Sequence, residues 1–346
     1  MSAADALRQY APCHLEYAEM KDMCPMPILL VSLLCLLWCG SVCAAGQMPA
    51  KLRVVTTVAP LTDMVGQVGQ DALDLHGLVP AGVNSHTFQP APSDVQLLAL
   101  ADLVIVNGLY LEVAIEKLAR SSGKPGVTLL KLADNTIRQA EWVFDFSFPA
   151  AQGHPNPHLW LNVEYAMQYV ALVRQQLMTL DPSRATQYKE NASRYLDRLQ
   201  RLDQCIVTAV ATIPLPQRRL LTYHDSWPYF ARRYGMTVIG AIQPANFFEP
   251  SPRELARIVD QIRQTNIPAV FGSEVFPSKV LEKIAAETGV RYVSTLRDDV
   301  LPGNPGDARH SYLGMMSENV TAMVTALGGL PQEFSTCTAP IFRETE

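Results

Sequence analysis

Short apolar runs alternate with amphipathic stretches along the chain from residue 52 onward. Short runs rich in apolar and β-branched residues, such as 52–57 and 103–106, favour buried strands. The stretch 92–100 begins with Pro, Ser and Asp, as helices commonly do, and continues with apolar residues. Alternating strands and helices are typical of α/β layer folds. The sequence therefore predicts an α/β protein with sheets in which parallel strands predominate.

The predicted elements fall into two groups. The first has strands at 52–57, 73–79, 103–106 and 127–130, with helices at 61–68, 92–100 and 111–120. An irregular stretch, 133–157, and a helix at 163–180 follow it. The second has strands at 219–223, 236–241, 269–273 and 291–295, with helices at 227–234, 252–264, 278–288 and 312–327. The alternation thus predicts two similar lobes.

A long amphipathic stretch separates these groups. From residue 183 to residue 213, apolar residues recur at spacings of three and four, which predicts one helix about 45 Å long. Pro214 and Pro216 end it. We therefore expect an N-terminal lobe at 46–182, a linking helix at 183–213 and a C-terminal lobe at 214–330. The tail, 331–346, is expected to be irregular.

The first 45 residues are expected to be a leader. An apolar run from Pro27 ends in small residues at Ala44 and Ala45, as at a secretory cleavage site. The preceding stretch is poor in bases, so the translation start and the cleavage site stay open, and an uncleaved signal anchor is the alternative. The leader predicts export to the periplasm.

Composition narrows the possible partners. Five of the seven cysteines fall in the leader, which leaves Cys205 and Cys337 either to pair in an oxidising compartment or to remain as two buried thiols. The formal net charge is −5, and removal of the leader's four acids and two bases leaves a slight acidic excess. That balance argues against nucleic acid or an anionic membrane as a partner.

Three of the seven histidines lie where a predicted strand or loop gives way to a helix: His86, His158 and His224. Asp299 lies just beyond the last predicted strand. Because ligands of open α/β sheets bind at the carboxyl ends of the strands, these four side chains are expected to meet in the cleft between the lobes. Three neutral imidazoles and one carboxylate suit zinc, whereas manganese prefers more oxygen ligands.

Several motifs resemble the solute-binding proteins of ABC importers for zinc and manganese, the cluster A-I family. They include VNSHTFQPAPSD, NPHLWLNV, YHDSWPYFARRYG and EPSPRELARIV, in the family's order, and the resemblance runs from about residue 52 to residue 327. It implies two lobes bridged by a rigid helix. It also implies a metal held by His86, His158, His224 and Asp299, with Asp298 as the alternative fourth ligand.

The resemblance further implies a function. Manganese-selective members commonly carry Glu where this chain has His224, so zinc is the expected ion and manganese the alternative. A monomer that binds the ion and passes it to an inner-membrane permease is expected, with no catalysis. The rival interpretations are a zinc hydrolase, favoured if Asp299 were no ligand and Glu274 lay beside a bound water, and a surface adhesin on the same fold.

The chain departs from the family pattern in three places. The stretch 133–157 holds only His154 where many zinc-specific members have a histidine-rich loop, so a separate zinc chaperone is one possible source of the ion. Asn84 and Ser85 replace an Asp-Pro pair, and Asn156 replaces an Asp. These changes remove acids that would orient the imidazoles. His76 and His310 are interpreted as surface or packing residues, and Glu274 as either a neighbour of the site or a helix cap.

Overall fold

The structure is a computed structural model that describes residues 50–243, 245, 247, 249–275, 279–294 and 296–343. The predicted leader, 1–45, and its five cysteines lie outside these residues. Within the described part of the chain, no helix is both long enough and apolar enough to span a membrane.

The first lobe is built on a parallel sheet of four strands with the order β2-β1-β3-β4. Val54, Val55 and the whole of β3 are buried on both faces, as parallel sheets covered by helices require. Each crossover between strands contains a helix or a helical turn. The elements are β1 (Leu52–Thr56), α1 (Ala59–Gly69), β2 (Leu73–Gly77), α2 (Pro92–Leu100), β3 (Leu103–Val106), α3 (Val113–Ser122) and β4 (Thr128–Lys131).

The second lobe repeats this strand order. Its four parallel strands are arranged β6-β5-β7-β8, so the first strand of each lobe is central. A site at the carboxyl ends of both sheets therefore receives loops from the places where the strand order reverses. The elements are β5 (Arg219–Thr222), α6 (Pro228–Tyr234), β6 (Thr237–Ala241), α7 (Pro252–Thr265), β7 (Ala269–Phe271), α8 (Lys279–Thr288), β8 (Arg291–Val293) and α9 (Tyr312–Ala326).

Two long helices lie between the sheets in sequence, α4 (Val163–Leu180) and α5 (Ala185–Ala211). Asn162 begins α4, because its side chain accepts a hydrogen bond from the Glu164 N–H at 2.9 Å. The 27 residues of α5 span about 40 Å. Its apolar stripe, from Tyr188 to Val210, packs against α1 and α4 of the first lobe and α9 of the second. Both lobes and the linking helix thus share one continuous core. The predicted fold class is confirmed.

The C-terminal tail was predicted to be irregular, and that prediction was wrong. Pro331–Arg343 forms a helix, α10, that buries Phe334 and Ile341 against the linking helix. A disulfide between Cys205 of α5 and Cys337 of α10 joins the two helices. The sequence left open whether these cysteines pair or remain as thiols, and in the structure they are paired.

Candidate metal site

Each of the three histidines is placed by a loop at the carboxyl edge of a sheet. His86 lies between β2 and α2, where the Asn84 side chain accepts a hydrogen bond from the His86 N–H at 2.9 Å. His158 directly precedes a helical turn, Leu159–Leu161, that leads into α4. His224 comes two residues after β5. The folding of both lobes therefore determines where the imidazoles meet.

The three imidazoles converge on one point. The Nε2 atom of His86 lies 3.2 Å from that of His158 and 3.2 Å from that of His224, and the last two are 3.1 Å apart. A tetrahedral zinc ion bound to nitrogen at ordinary distances separates its ligand atoms by about 3.3 Å. Among the histidine, cysteine and acidic side chains that the structure describes, these three histidines form the group whose ligand atoms lie close enough together to hold one ion. The triangle has the size of one face of a metal coordination sphere.

Two amide oxygens orient two of the rings. The Nδ1–H of His158 donates to the side-chain oxygen of Asn156 at 2.7 Å, and that of His224 donates to the side-chain oxygen of Gln243 at 2.7 Å. Because Nδ1 holds the proton in each case, the lone pair of Nε2 is directed into the cluster. Asn156 thus takes the orienting role that the missing acid would have had, without adding a negative charge.

Burial also favours the neutral form of two of the rings, His158 and His86. It lowers the pKa of His158 well below 6.5, and the neighbouring His224 and His86 lower it further. The pKa of His86 is lowered well below 6.5 for the same reason, with repulsion from His224 as the second cause. A neutral imidazole binds a metal without first losing a proton. The site therefore favours a cation over protons at neutral pH.

Two adjacent carboxyl groups, Asp298 and Asp299, come from the second lobe and lie outside the group of clustered ligand atoms. One oxygen of Asp298 is 3.8 Å from the Nε2 of His224, whereas one oxygen of Asp299 accepts a hydrogen bond from the Ser85 hydroxyl at 2.6 Å. That same oxygen of Asp298 and the other oxygen of Asp299 are buried and make no hydrogen bond with any described residue. Burial, together with the charge of Asp298, raises the pKa of Asp299 to about 8. A bound cation would compensate these oxygens.

Glu274 fixes the loop that carries this pair. One of its carboxylate oxygens accepts hydrogen bonds from three successive backbone N–H groups, those of Asp298, Asp299 and Val300, at 3.0 to 3.2 Å. Burial and the charges of Asp298 and Asp299 raise the pKa of Glu274 well above its usual value. Of the two roles considered for Glu274, the structure supports the one beside the site, where it acts through the backbone.

Aromatic side chains close the site on its outer side. Phe247 stacks on the His86 ring with centroids 4.7 Å apart, and Phe148 lies 5.5 Å from the same ring. A cavity of about 190 Å³ leads past them from His86 toward Tyr110 and His154. His154 stacks on Tyr110 at 4.3 Å and therefore lies at the mouth of this cavity, outside the cluster.

The other two histidines that the structure describes, His76 and His310, make contacts elsewhere. His76 lies 2.9 Å from an oxygen of Asp74, and His310 lies 3.1 Å from the carbonyl oxygen of Pro302. Sequence reasoning did not find Gln243 or Ser85 as neighbours of the site. Gln243 follows β6 at the same sheet edge, so its position after a strand was the available signal.

Comparison with known proteins agrees with this geometry. The sequence profile of the family described as zinc-uptake complex component A, periplasmic, matches residues 54–326. Among curated relatives, the manganese-binding lipoprotein MntA of Halalkalibacterium halodurans is 28% identical, over 89% of this chain and 99% of its own length. The iron-binding protein YfeA of Yersinia pestis is 27% identical, over 80% of this chain and 87% of its own length.

Solved structures of metal-binding proteins are also similar to this chain. The periplasmic zinc-binding protein TroA from Treponema pallidum superposes with a TM-score of 0.72 at 26% identity, over 80% of this chain and 99% of that one. Members of the family are solute-binding components of ABC importers and not enzymes, which removes the hydrolase interpretation. The shared profile, the two matched lobes and the imidazole cluster lead to one conclusion: this chain belongs to the ZnuA family of metal-binding proteins of ABC transporters.

Proposed function

We propose that this protein is exported to the periplasm, captures Zn²⁺ in the cleft between its lobes and delivers the ion to an inner-membrane permease. The observation that carries the proposal is the convergence of three Nε2 atoms within 3.2 Å of one another. Two of the three rings are held by amide oxygens in the tautomer that a metal requires. The predicted leader supports export, and a monomer suffices because one chain supplies all the proposed ligands.

The choice of zinc depends on the donor atoms. Three imidazole nitrogens suit zinc, iron, copper or nickel, whereas manganese favours carboxylate and other oxygen donors. The relatives named above bind manganese, iron or zinc by their names, so similarity alone does not select the ion. Manganese is the alternative. A periplasmic chaperone that loads the site is a second possible partner, because the chain has only His154 in the stretch where a histidine-rich loop was expected.

The fourth ligand is proposed to be Asp299. Its buried oxygen without a hydrogen bond is available to an ion, while Ser85 holds the other oxygen, as expected of a ligand oriented by a neighbour. Asp298 is the alternative, since one of its oxygens lies 3.8 Å from the Nε2 of His224. The variants Asp299→Asn and Asp298→Asn separate the two: the larger loss of zinc affinity is expected for Asp299→Asn, and the reverse order would transfer the role to Asp298.

Elemental analysis of the purified protein, followed by competition between Zn²⁺ and Mn²⁺ against a chromophoric chelator, tests the proposal. One zinc per chain and a preference for zinc are expected. The variant His224→Ala should weaken zinc binding by more than about 100-fold, the upper range for residues that only orient a ligand. His76→Ala, a histidine outside the cluster, is the matched control. Retention of stoichiometric zinc by His224→Ala contradicts the site, and a manganese preference contradicts only the choice of ion.

A further inference from the structure

The segment 142–148, hereafter the strap, has two different faces. Alternate residues Val143 and Ser147 point inward. The N–H of Val143 donates to the hydroxyl of Tyr229 at 3.2 Å, and the hydroxyl of Ser147 donates to the carbonyl oxygen of Gln243 at 2.8 Å. Both partners belong to the second lobe, and Gln243 is the residue that orients His224. The strap is therefore fastened to the surroundings of the site by its inner face.

The outer face of the strap is aromatic. Phe144 and Phe146 expose 38% and 52% of their surface, and Trp142 is half-buried beside them. Trp142 contacts Phe144 edge-on at 6.3 Å and Tyr110, which is 48% exposed, at 6.4 Å. We call Tyr110, Trp142, Phe144 and Phe146 the aromatic face. Exposed apolar side chains that are grouped in this way commonly mark a binding surface.

The position of the aromatic face relates it to the ion. Tyr110 lines the mouth of the cavity that begins at His86, and Phe148, at the end of the strap, packs against the His86 ring. An ion that leaves the cluster along this cavity emerges beside Tyr110. A protein that receives the ion at this mouth therefore contacts Tyr110, and Trp142 and Phe144 extend the contact surface from there.

The chemistry of the face indicates a protein partner. Aromatic side chains dominate the energetics of protein interfaces, where they fill apolar pockets of the partner. Attachment to an anionic membrane would instead use a cluster of lysine and arginine beside the aromatic residues. The nearest base in the sequence, Arg138, is paired with Glu141 at 3.2 Å.

We propose that the aromatic face is the docking surface for the permease of the importer. The inference rests on the proposed function, because it identifies where the acceptor of the ion binds. Docking there also engages a segment whose inner face contacts Gln243 and whose last residue contacts His86.

The test compares the wild-type protein with the double variant Phe144→Ser/Phe146→Ser and with Tyr110→Asn. Asn is chosen because Tyr110 has a φ of 68°, a left-handed conformation that Asn tolerates. Leu215→Ser and Leu330→Ser remove apolar side chains that are 75% and 51% exposed elsewhere, and they are the matched controls. Binding to the permease and ATPase in nanodiscs, zinc affinity and thermal midpoint are measured for each protein.

We expect both face variants to lose at least ten-fold in affinity for the nanodisc complex, with zinc affinity and thermal midpoint unchanged, while the controls dock normally. Normal docking of the face variants would overturn the inference, and so would equal binding of the wild-type protein to nanodiscs that lack the permease. Failure of the wild-type protein to bind zinc at all would instead refute the proposed function, so the two failures are distinguishable.

Discussion

Gln243 provides the sharpest test of how the site works, because it touches a proposed ligand without being one. Its side-chain oxygen accepts the Nδ1–H of His224 at 2.7 Å, and it is almost fully buried, with 1% of its surface exposed. The variant Gln243→Met keeps a similar volume but removes the acceptor. Without that acceptor the Nδ1–H of His224 loses its 2.7 Å hydrogen bond, and the tautomer that protonates Nε2, the proposed metal-binding atom, becomes more favourable.

The expected effect follows from the behaviour of residues that orient metal ligands. Their removal commonly weakens metal affinity by about 10- to 100-fold, which corresponds to about 1.4 to 2.7 kcal/mol. Competition against a chelator of known zinc affinity measures this difference directly. Gln261→Met is the matched control, because Gln261 lies in the same lobe and donates to the Ile239 carbonyl oxygen at 2.6 Å, away from the cluster.

The ratio of the zinc affinities of the two variants decides the outcome. If Gln243→Met binds zinc within about three-fold of Gln261→Met, the hydrogen bond from Gln243 does not organise the site, and the argument from tautomers fails. Zinc affinities measured at several pH values add a second check. Loss of the acceptor at residue 243 should not change the tautomer of His158, because Asn156 holds the Nδ1–H of that ring.

Two further predictions concern stability. Burial raises the pKa of Glu112 to about 7, although Thr57 and two backbone N–H groups donate hydrogen bonds to it. The folded protein therefore holds a proton that the unfolded chain loses above pH 4.5. The free energy of unfolding should fall by on the order of 3 kcal/mol as the pH rises from 4.5 to beyond 7. Urea unfolding of the metal-free protein should show that part of the decline in the wild type and not in Glu112→Gln, and equal slopes would contradict it. The Cys205–Cys337 disulfide closes a loop of 132 residues, so its removal by Cys205→Ser/Cys337→Ser should cost at most about 5 kcal/mol. Reducing agent should lower the thermal midpoint of the wild type and leave that of the double variant unchanged, and a midpoint in the wild type that does not respond to reductant would count against a stabilising role.

Much of the fold was predictable because its signals are local. The alternation of apolar runs and amphipathic stretches gave two lobes, and apolar spacing gave the linking helix, whose observed range of 27 residues lies inside the predicted 183–213. The helix α10 was missed because Pro340 lies within it and reads as a helix breaker, although Pro331 at its start is a common first residue. Its burial against α5 outweighs the local signal.

Pairings between distant residues could not be predicted in the same way. Motifs led to the three histidines, but nothing in the sequence showed that Cys205 and Cys337 approach each other across 132 residues. The hydrogen bond between Ser85 and Asp299 spans 214 residues and joins the two lobes, and the partnership of Gln243 with His224 depends on how β5 pairs with β6. Such contacts are set by topology, which a single sequence specifies only indirectly.

The linking helix has one consequence for affinity. His86 and His158 come from the first lobe, whereas His224 and the carboxyl pair come from the second, so neither lobe alone holds a complete set of proposed ligands. Because both lobes also share one core, the helix and that core together fix the effective concentration at which each half-site meets the other, and their stiffness bears on the proposed binding as much as the ligands do. A break in α5 that also loosened this core would dilute one half-site relative to the other and weaken the proposed hold on the ion while every ligand remained in place.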